Sequence, residues 1–280
     1  MKFLRILFVF FAIAISRGAA LTPETIQMIA SNYLAKQPLP TLETGFSMDE
    51  ALRAQDLFVR TLQRDLGDVA GYKIGVITKQ GQERLHTTGP VHGVLLKQML
   101  QTDHTKISAH YGIRPGLELD MGVVVKDAQI NDAKTLDEVL PHLFFLDCFI
   151  ELVDSITATN QPMDAALLTA LNVGARAGVW GGRIKLKPEI AKAIPDMRMW
   201  LTDEDGKVVY DIPKLNLQPL DNIPWLIAEL KKSGKRLKQG DFISVGSPAP
   251  IQPVIAGKTI TLHYDIPGAR AMHTTVTFTE

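Results

Sequence analysis

The sequence predicts an α+β protein with two helices near its start and a larger, β-rich remainder. Three observations carry this. Helix-capping residues followed by apolar positions at helical spacing dominate residues 22–66. From Val69 onward, short alternating or β-branched runs bounded by Gly, Pro and Asp take over. No internal repeat or low-complexity tract interrupts the pattern, so one mixed architecture suffices.

The first helix is expected over residues 22–36, with Thr22 as cap and Pro23 in the first turn. Ser47, with Glu50 three residues later, forms a capping box for a second helix reaching Leu66, which Gly67 and Asp68 end. Val69–Val76 then reads as a strand bearing Lys73, and Lys79–Leu85 as a short helix. After the Thr87–Pro90 turn come two strands, Val91–Leu96 and residues 114–126. Leu136–Leu140 suits a helical turn, and Leu143–Val153 is too apolar to face water on either side. Residues 162–171 read as helix and 172–179 as a glycine-bearing strand. Met197–Thr202 and Lys207–Tyr210 form a hairpin across Asp203-Glu204-Asp205-Gly206. A helix at Ile223–Lys232 and three closing strands, Phe242–Val245, Thr259–Tyr264 and Ala271–Phe278, complete the chain.

Composition narrows the function. At 280 residues and 46% hydrophobic, the chain can bury a full core. Lys+Arg and Asp+Glu are both 30, so there is no basic field for nucleic acid. Lys2, Arg5, the apolar Ile6–Ile15 run and Gly18-Ala19-Ala20 read as a secretory signal peptide over residues 1–20. Its removal leaves 27 basic and 30 acidic side chains and no stable membrane span. The expectation is an exported, periplasmic protein, with an uncleaved N-terminal anchor as the alternative. The mature chain divides into a helical segment, 21–68, and a β-rich part, 69–280. Cys148 is the only cysteine and lies in an apolar run, which suits a buried inert thiol and leaves no internal disulfide. Glycine-rich phosphate loops, CxxC pairs, paired zinc histidines and GxSxG elbows are all missing from the sequence.

The chemistry is concentrated in acids. In Arg114-Pro115-Gly116-Leu117-Glu118-Leu119-Asp120, period-two alternation sets Glu118 and Asp120 on one face, about 7 Å apart. Such a pair is either a solvated edge or a site for a divalent cation. Glu151 stands in the apolar run Ile150–Val153, where a lone carboxylate is costly. If its strand lies beside that of Glu118, the three acids make an oxygen cage for Mg2+ or Mn2+, with Ca2+ also fitting. Lys73 is then either a cation beside this site or a lysine whose stem packs on the core.

Gly71-Tyr72-Lys73-Ile74-Gly75, the Glu118/Asp120 pair and Ile150-Glu151-Leu152-Val153-Asp154-Ser155 resemble the 2-keto-4-pentenoate hydratase group of the fumarylacetoacetate hydrolase superfamily. The group includes 2-oxopent-4-enoate hydratases and 4-oxalocrotonate decarboxylases. Its third acid follows the second by 31 residues, as Glu151 follows Asp120 here. The resemblance runs from about residue 45 to the end. It implies a mixed β-roll core and a Mg2+ or Mn2+ ion on Glu118, Asp120 and Glu151, polarising a 2-oxo acid as a Lewis acid. It implies that Lys73 pairs with the substrate or assists proton transfer, and that Asn172 and Ser247 lie near the substrate. Relatives commonly form symmetric oligomers, and the 143–150 run suits a subunit interface as well as a core.

This chain departs from the pattern at several places. Val91 stands where an acid is usual, Leu171 where Asp is usual, Gly174 where Ser is usual and Gly116 where Arg is usual. His92, beside Val91, is the candidate to take over proton transfer. The function expected is a metal-dependent hydratase of a small unsaturated 2-oxo acid such as 2-hydroxypenta-2,4-dienoate. The alternatives are a decarboxylase of a 2-oxo-dioic acid and a non-catalytic 2-oxo acid binding protein with an eroded site.

Overall fold

The computed structural model describes residues 19–280, so the signal-peptide reading of residues 1–20 lies almost wholly outside the described residues. Helix α1 (Pro23–Ala35) begins where Thr22 accepts the Thr25 N–H. Helix α2 (Met48–Leu66) has the reciprocal Ser47–Glu50 capping box and closes at Gly67. Strand β1 (Val69–Gly75), helix α3 (Lys79–Arg84), strands β2 (Val91–Leu96), β3 (Leu100–Thr102), β4 (Thr105–Ser108) and β5 (Pro115–Val125) follow. Then come α4 (Leu136–Val139), β6 (Leu143–Asp154), α5 (Ala165–Ala170), β7 (Ala175–Lys185), α6 (Pro188–Ala193), β8 (Arg198–Thr202) and β9 (Val208–Ile212). Helix α7 (Asn222–Lys232) and strands β10 (Phe242–Ser244), β11 (Gln252–Pro253), β12 (Thr259–Asp265) and β13 (Met272–Thr279) end the chain.

The strands form two mixed sheets. The larger runs β2-β1-β10-β5-β6-β7-β3, with β11 added against β5, and the smaller runs β4-β13-β12-β8-β9. In the larger sheet β1 pairs parallel with β10, and β5, β6 and β7 pair antiparallel in succession. The register places Glu118 directly opposite Glu151, and Lys73 beside Ser244. Facing partners share a sheet face, so Lys73, Ser244, Glu118, Asp120 and Glu151 all project to one side. Lys73 and Glu151 are three strands apart, roughly 14 Å in a flat sheet. Their side chains nevertheless form an ion pair, so the sheet curls around this face.

The N-terminal helices share the core of the sheets. Ile26, Ile29, Phe58 and Leu62 belong to the same buried cluster as Leu119, Ile150 and Leu226. Tyr33 ties α1 to β7, its hydroxyl donating to the Ala175 carbonyl at 3.0 Å. Arg176 lies over the Tyr33 ring at 3.9 Å. The 143–150 run is core: only Phe144 is exposed and Phe145 half-buried. Cys148 is fully buried, and burial pushes its thiol further up, which suits an inert residue.

The stretch 172–179 differs from the expected strand. Asn172, Val173 and Gly174 form a tight turn with φ of 55°, 54° and 66°, and β7 begins only at Ala175. The glycine there read as part of a strand, whereas it closes a left-handed turn. A β-branched residue in this region is strained. Val173 and Val76, the latter at φ 61°, both border the cavity described next.

Candidate functional site

A cavity of about 450 Å³ opens over the polar face of the larger sheet. Lys73, Glu118, Arg84, Arg114, Asp154 and Ser247 are among the residues in its wall. Its floor is built by four neighbouring strands. Lys73 on β1 is 2% exposed; its ammonium meets Glu151 and donates to the Val173 carbonyl at 3.1 Å. The strained 172–174 turn therefore presents a carbonyl to the lysine. Gly93, opposite Lys73 on β2, makes this approach feasible: a Cβ there would lie 2.7 Å from the Asn172 carbonyl oxygen and 3.0 Å from Lys73 Cγ.

Asp120 is held by two elements. Ser244 donates its hydroxyl to Oδ2, and the Gly246 N–H donates to Oδ1 at 3.0 Å. Gly246 needs its φ of 101° to turn the chain there, and a Cβ would stand 2.5 Å from Ile77. Ser244 also approaches Glu151 at 3.4 Å, so one hydroxyl bridges two of the acids. Among the described residues Glu118 carries no such bond, and it lines the cavity.

The electrostatics follow from this crowding. Burial pushes Glu118 up to about 7, and the Glu151 charge adds to that against the pull of Lys73 and Arg84. Burial and then the Glu151 charge also raise Asp120, against the bond from Ser244. For Lys73, burial favours the neutral amine, but attraction to Glu151 and Glu118 outweighs it and the net shift is upward. When all are ionised, three carboxylates and one ammonium leave two excess negative charges in a buried site. Among the described residues no three Asp, Glu, His or Cys side chains converge into a ready cage, because Lys73 stands against Glu151 and Asp120 is tied to Ser244. The donors nevertheless fit a hard divalent cation, in both oxygen chemistry and charge.

One consequence is measurable. Glu118 titrates near 4.5 in the unfolded chain and near 7 here, so the metal-free native state holds an extra proton between those values. Its contribution to stability is present below about pH 4.5 and is lost as pH rises through about 7. The melting temperature of metal-free protein should therefore fall across that window, and saturating Mg2+ should flatten the decline. A melting temperature that rises steadily from pH 5 to 8 without metal would contradict this reading of Glu118.

Sequence reasoning named seven site residues, and the structure gathers five of them. Lys73, Glu118, Asp120 and Glu151 share one sheet face, with Lys73 against Glu151 and Glu118 at the cavity, and Ser247 is in the wall, its hydroxyl engaged with the backbone of Ala249 at 3.2 Å. His92 is a correction. It faces Ile74 across β1 and β2, on the opposite side of the sheet from Lys73, and packs between Tyr72 and Trp225. Burial, followed by the Lys235 charge, holds it down to about 4. Asn172 is another correction: its amide is spent on β2, accepting the Val94 N–H at 2.7 Å and donating to the Val94 carbonyl at 2.9 Å. It shapes the turn that meets Lys73 and does not face the cavity. Val91, where an acid was expected by resemblance, packs with Leu85, Ala165 and Val173. Ser244, Arg84 and Arg114 escaped sequence reasoning. Only the pairing of β10 between β1 and β5 marks Ser244 out.

No family model matches the chain. It is 27% identical over 255 residues to 2-oxo-hept-4-ene-1,7-dioate hydratase of Escherichia coli, covering 86% of this chain and 88% of the relative. It is 25% identical over 199 residues to 2-keto-4-pentenoate hydratase of Burkholderia vietnamiensis, covering 70% and 74%. The structure of 4-oxalocrotonate decarboxylase from Pseudomonas putida G7, complexed with magnesium and adipate, aligns with a TM-score of 0.78 at 20% identity, covering 91% and 96%. The fold is that of the fumarylacetoacetate hydrolase superfamily. The curated relatives to which the chain is similar are named as hydratases of 2-oxo acids.

Proposed function

We propose that this protein is a divalent-metal-dependent hydro-lyase that adds water across the C=C bond of a small unsaturated 2-oxo acid. The observation that carries the proposal is the ion pair of Lys73 with Glu151 on the buried sheet face that also bears Glu118 and Asp120, with Lys73 and Glu118 in the wall of a cavity of about 450 Å³. Relatives named as hydratases and a structural neighbour solved with magnesium support it.

Glu118, Asp120 and Glu151 would hold Mg2+ or Mn2+. A divalent ion there supplies Lewis-acid polarisation of the substrate's 2-oxo group. Lys73 keeps its proton at neutral pH because the acids around it outweigh burial, so its Nζ can give a proton to the substrate or anchor developing negative charge. Ser244 and Gly246 fix Asp120, and the Val173 carbonyl fixes the ammonium, so the floor is set before substrate arrives. The apolar wall at Leu171, Val173 and Ile251 shields the reacting carbons from bulk water. Export of the chain, resting on residues 1–20, is part of the proposal.

The test is to follow loss of the dienoate absorbance of 2-hydroxypenta-2,4-dienoate with Mg2+ and the full chain, with the hydrated 2-oxo acid identified as product. Release of CO2 from a 2-oxo-dioic acid in place of hydration would move the protein to decarboxylation. No turnover of either substrate would leave a binding role.

A further inference from the structure

One end of the cavity is apolar and stands apart from the main core. Leu85, Val91, Ala165 and Val173 form a separate buried cluster, with Val76, Met163 and Leu168 packed against it. Of these, Val76, Leu85, Met163, Leu168 and Val173 also line the cavity. None of those side chains carries a charge or an N–H or O–H donor. Met163 and Leu168 remain half-buried at this wall, so apolar surface there is left for a ligand to cover.

Gly75 joins this end to the Lys73 floor. It follows Lys73 by two residues on β1, so the two share a sheet face, roughly 7 Å apart. Across the β1–β2 pair it faces Val91, as Lys73 faces Gly93. A Cβ at residue 75 would stand 2.8 Å from Val173 Cγ1 and 3.8 Å from Val91 Cγ2. The missing side chain therefore lets Val173 settle against the sheet. Val173 meets both halves of the cavity: its carbonyl accepts from the Lys73 ammonium at 3.1 Å, and its side chain belongs to the apolar cluster. A cavity of about 450 Å³ falls within the range of about 300–1,000 Å³ that holds drug-sized ligands, so a five-carbon acid on the floor leaves the apolar end unfilled.

We infer that this end receives an apolar tail, so that the substrate is a 2-oxo acid bearing an alkyl or aryl group beyond its reacting carbons. The inference rests on the 2-oxo acid reading above. The head lies on the Lys73 floor, and the tail passes over Val173 to rest among Leu85, Met163 and Leu168. Each methylene added to the tail gains affinity there, because tail and wall leave water together.

The test uses the full chain with Mg2+ and two saturated probes that cannot be hydrated, 2-oxopentanoate and 2-oxooctanoate, with Kd measured by calorimetry. Wild type should bind 2-oxooctanoate roughly tenfold to a hundredfold tighter, since each buried methylene is worth a factor of roughly four. In Leu168→Asp that ratio should fall toward one, because a charge then faces the tail, and Met163→Ala should lower it by a smaller factor. If Leu168→Asp does not fold, the wild-type ratio and Met163→Ala decide the matter. A third probe, 2-oxoadipate, ends its tail in a carboxylate and should bind more weakly than 2-oxooctanoate; the reverse order would overturn the inference. Equal binding of 2-oxopentanoate and 2-oxooctanoate by wild type would overturn the tail pocket while leaving the 2-oxo acid reading in place. Failure of all three probes to bind would overturn that reading and this inference together.

Discussion

Lys73→Met is expected to lower kcat/KM for the 2-oxo acid by about 10²–10⁴-fold, the range for losing a positioned proton-transfer group. The same substitution should tighten Mg2+ binding, roughly tenfold or more, because the ammonium is a positive charge held against Glu151. Opposite signs in turnover and metal affinity are the diagnostic result. A lysine that merely balanced charge would give tighter metal binding with turnover nearly intact. Stability supplies a third readout. Without metal, the variant leaves Glu151 buried with no cation, a loss of about 3–5 kcal/mol for a broken buried pair. Saturating Mg2+ should restore most of that loss in chemical denaturation. If denaturation of metal-free Lys73→Met matched wild type, the ion pair would not be what holds this floor together.

The legible part of the site is the part written as strand periodicity. Glu118 and Asp120 announce their shared face by alternation, and Glu151 announces itself as a carboxylate in an apolar run. The register then sets Glu118 opposite Glu151. The two N-terminal helices were equally readable, since Thr22 and the Ser47–Glu50 box mark their starts chemically. What failed was whatever depended on neighbours distant in sequence. His92 sits one residue out of phase with Gly93, and only the β1–β2 pairing reveals that it faces away from Lys73. Asn172 looks like a binding residue until the Val94 backbone is seen to occupy both ends of its amide. Ser244 lies in a three-residue strand whose importance comes from insertion between β1 and β5. The turn at 172–174 reads as extended chain because valine is a poor predictor of a left-handed conformation.

Glu151→Gln should weaken Mg2+ and Mn2+ binding by roughly a hundredfold or more, the upper end of what even outer partners of a metal cost. The amide keeps the shape of the side chain and one oxygen but removes an anionic donor from a set of three. A second effect is specific to this geometry. The Glu151 charge is one of the causes that raise Glu118, so its removal should bring Glu118 below about 7 and move the pH-dependent loss of metal-free stability to lower pH. Asp147→Asn is the matched control. Asp147 is another buried acid on β6, but it faces Gly122 and is held by Arg183 at 2.9 and 3.0 Å. Losing that pair should lower stability without changing metal affinity. Unaltered Mn2+ affinity in Glu151→Gln, or an equal loss in Asp147→Asn, would remove Glu151 from the ion's ligands and reduce the site to Lys73 bracing a buried carboxylate.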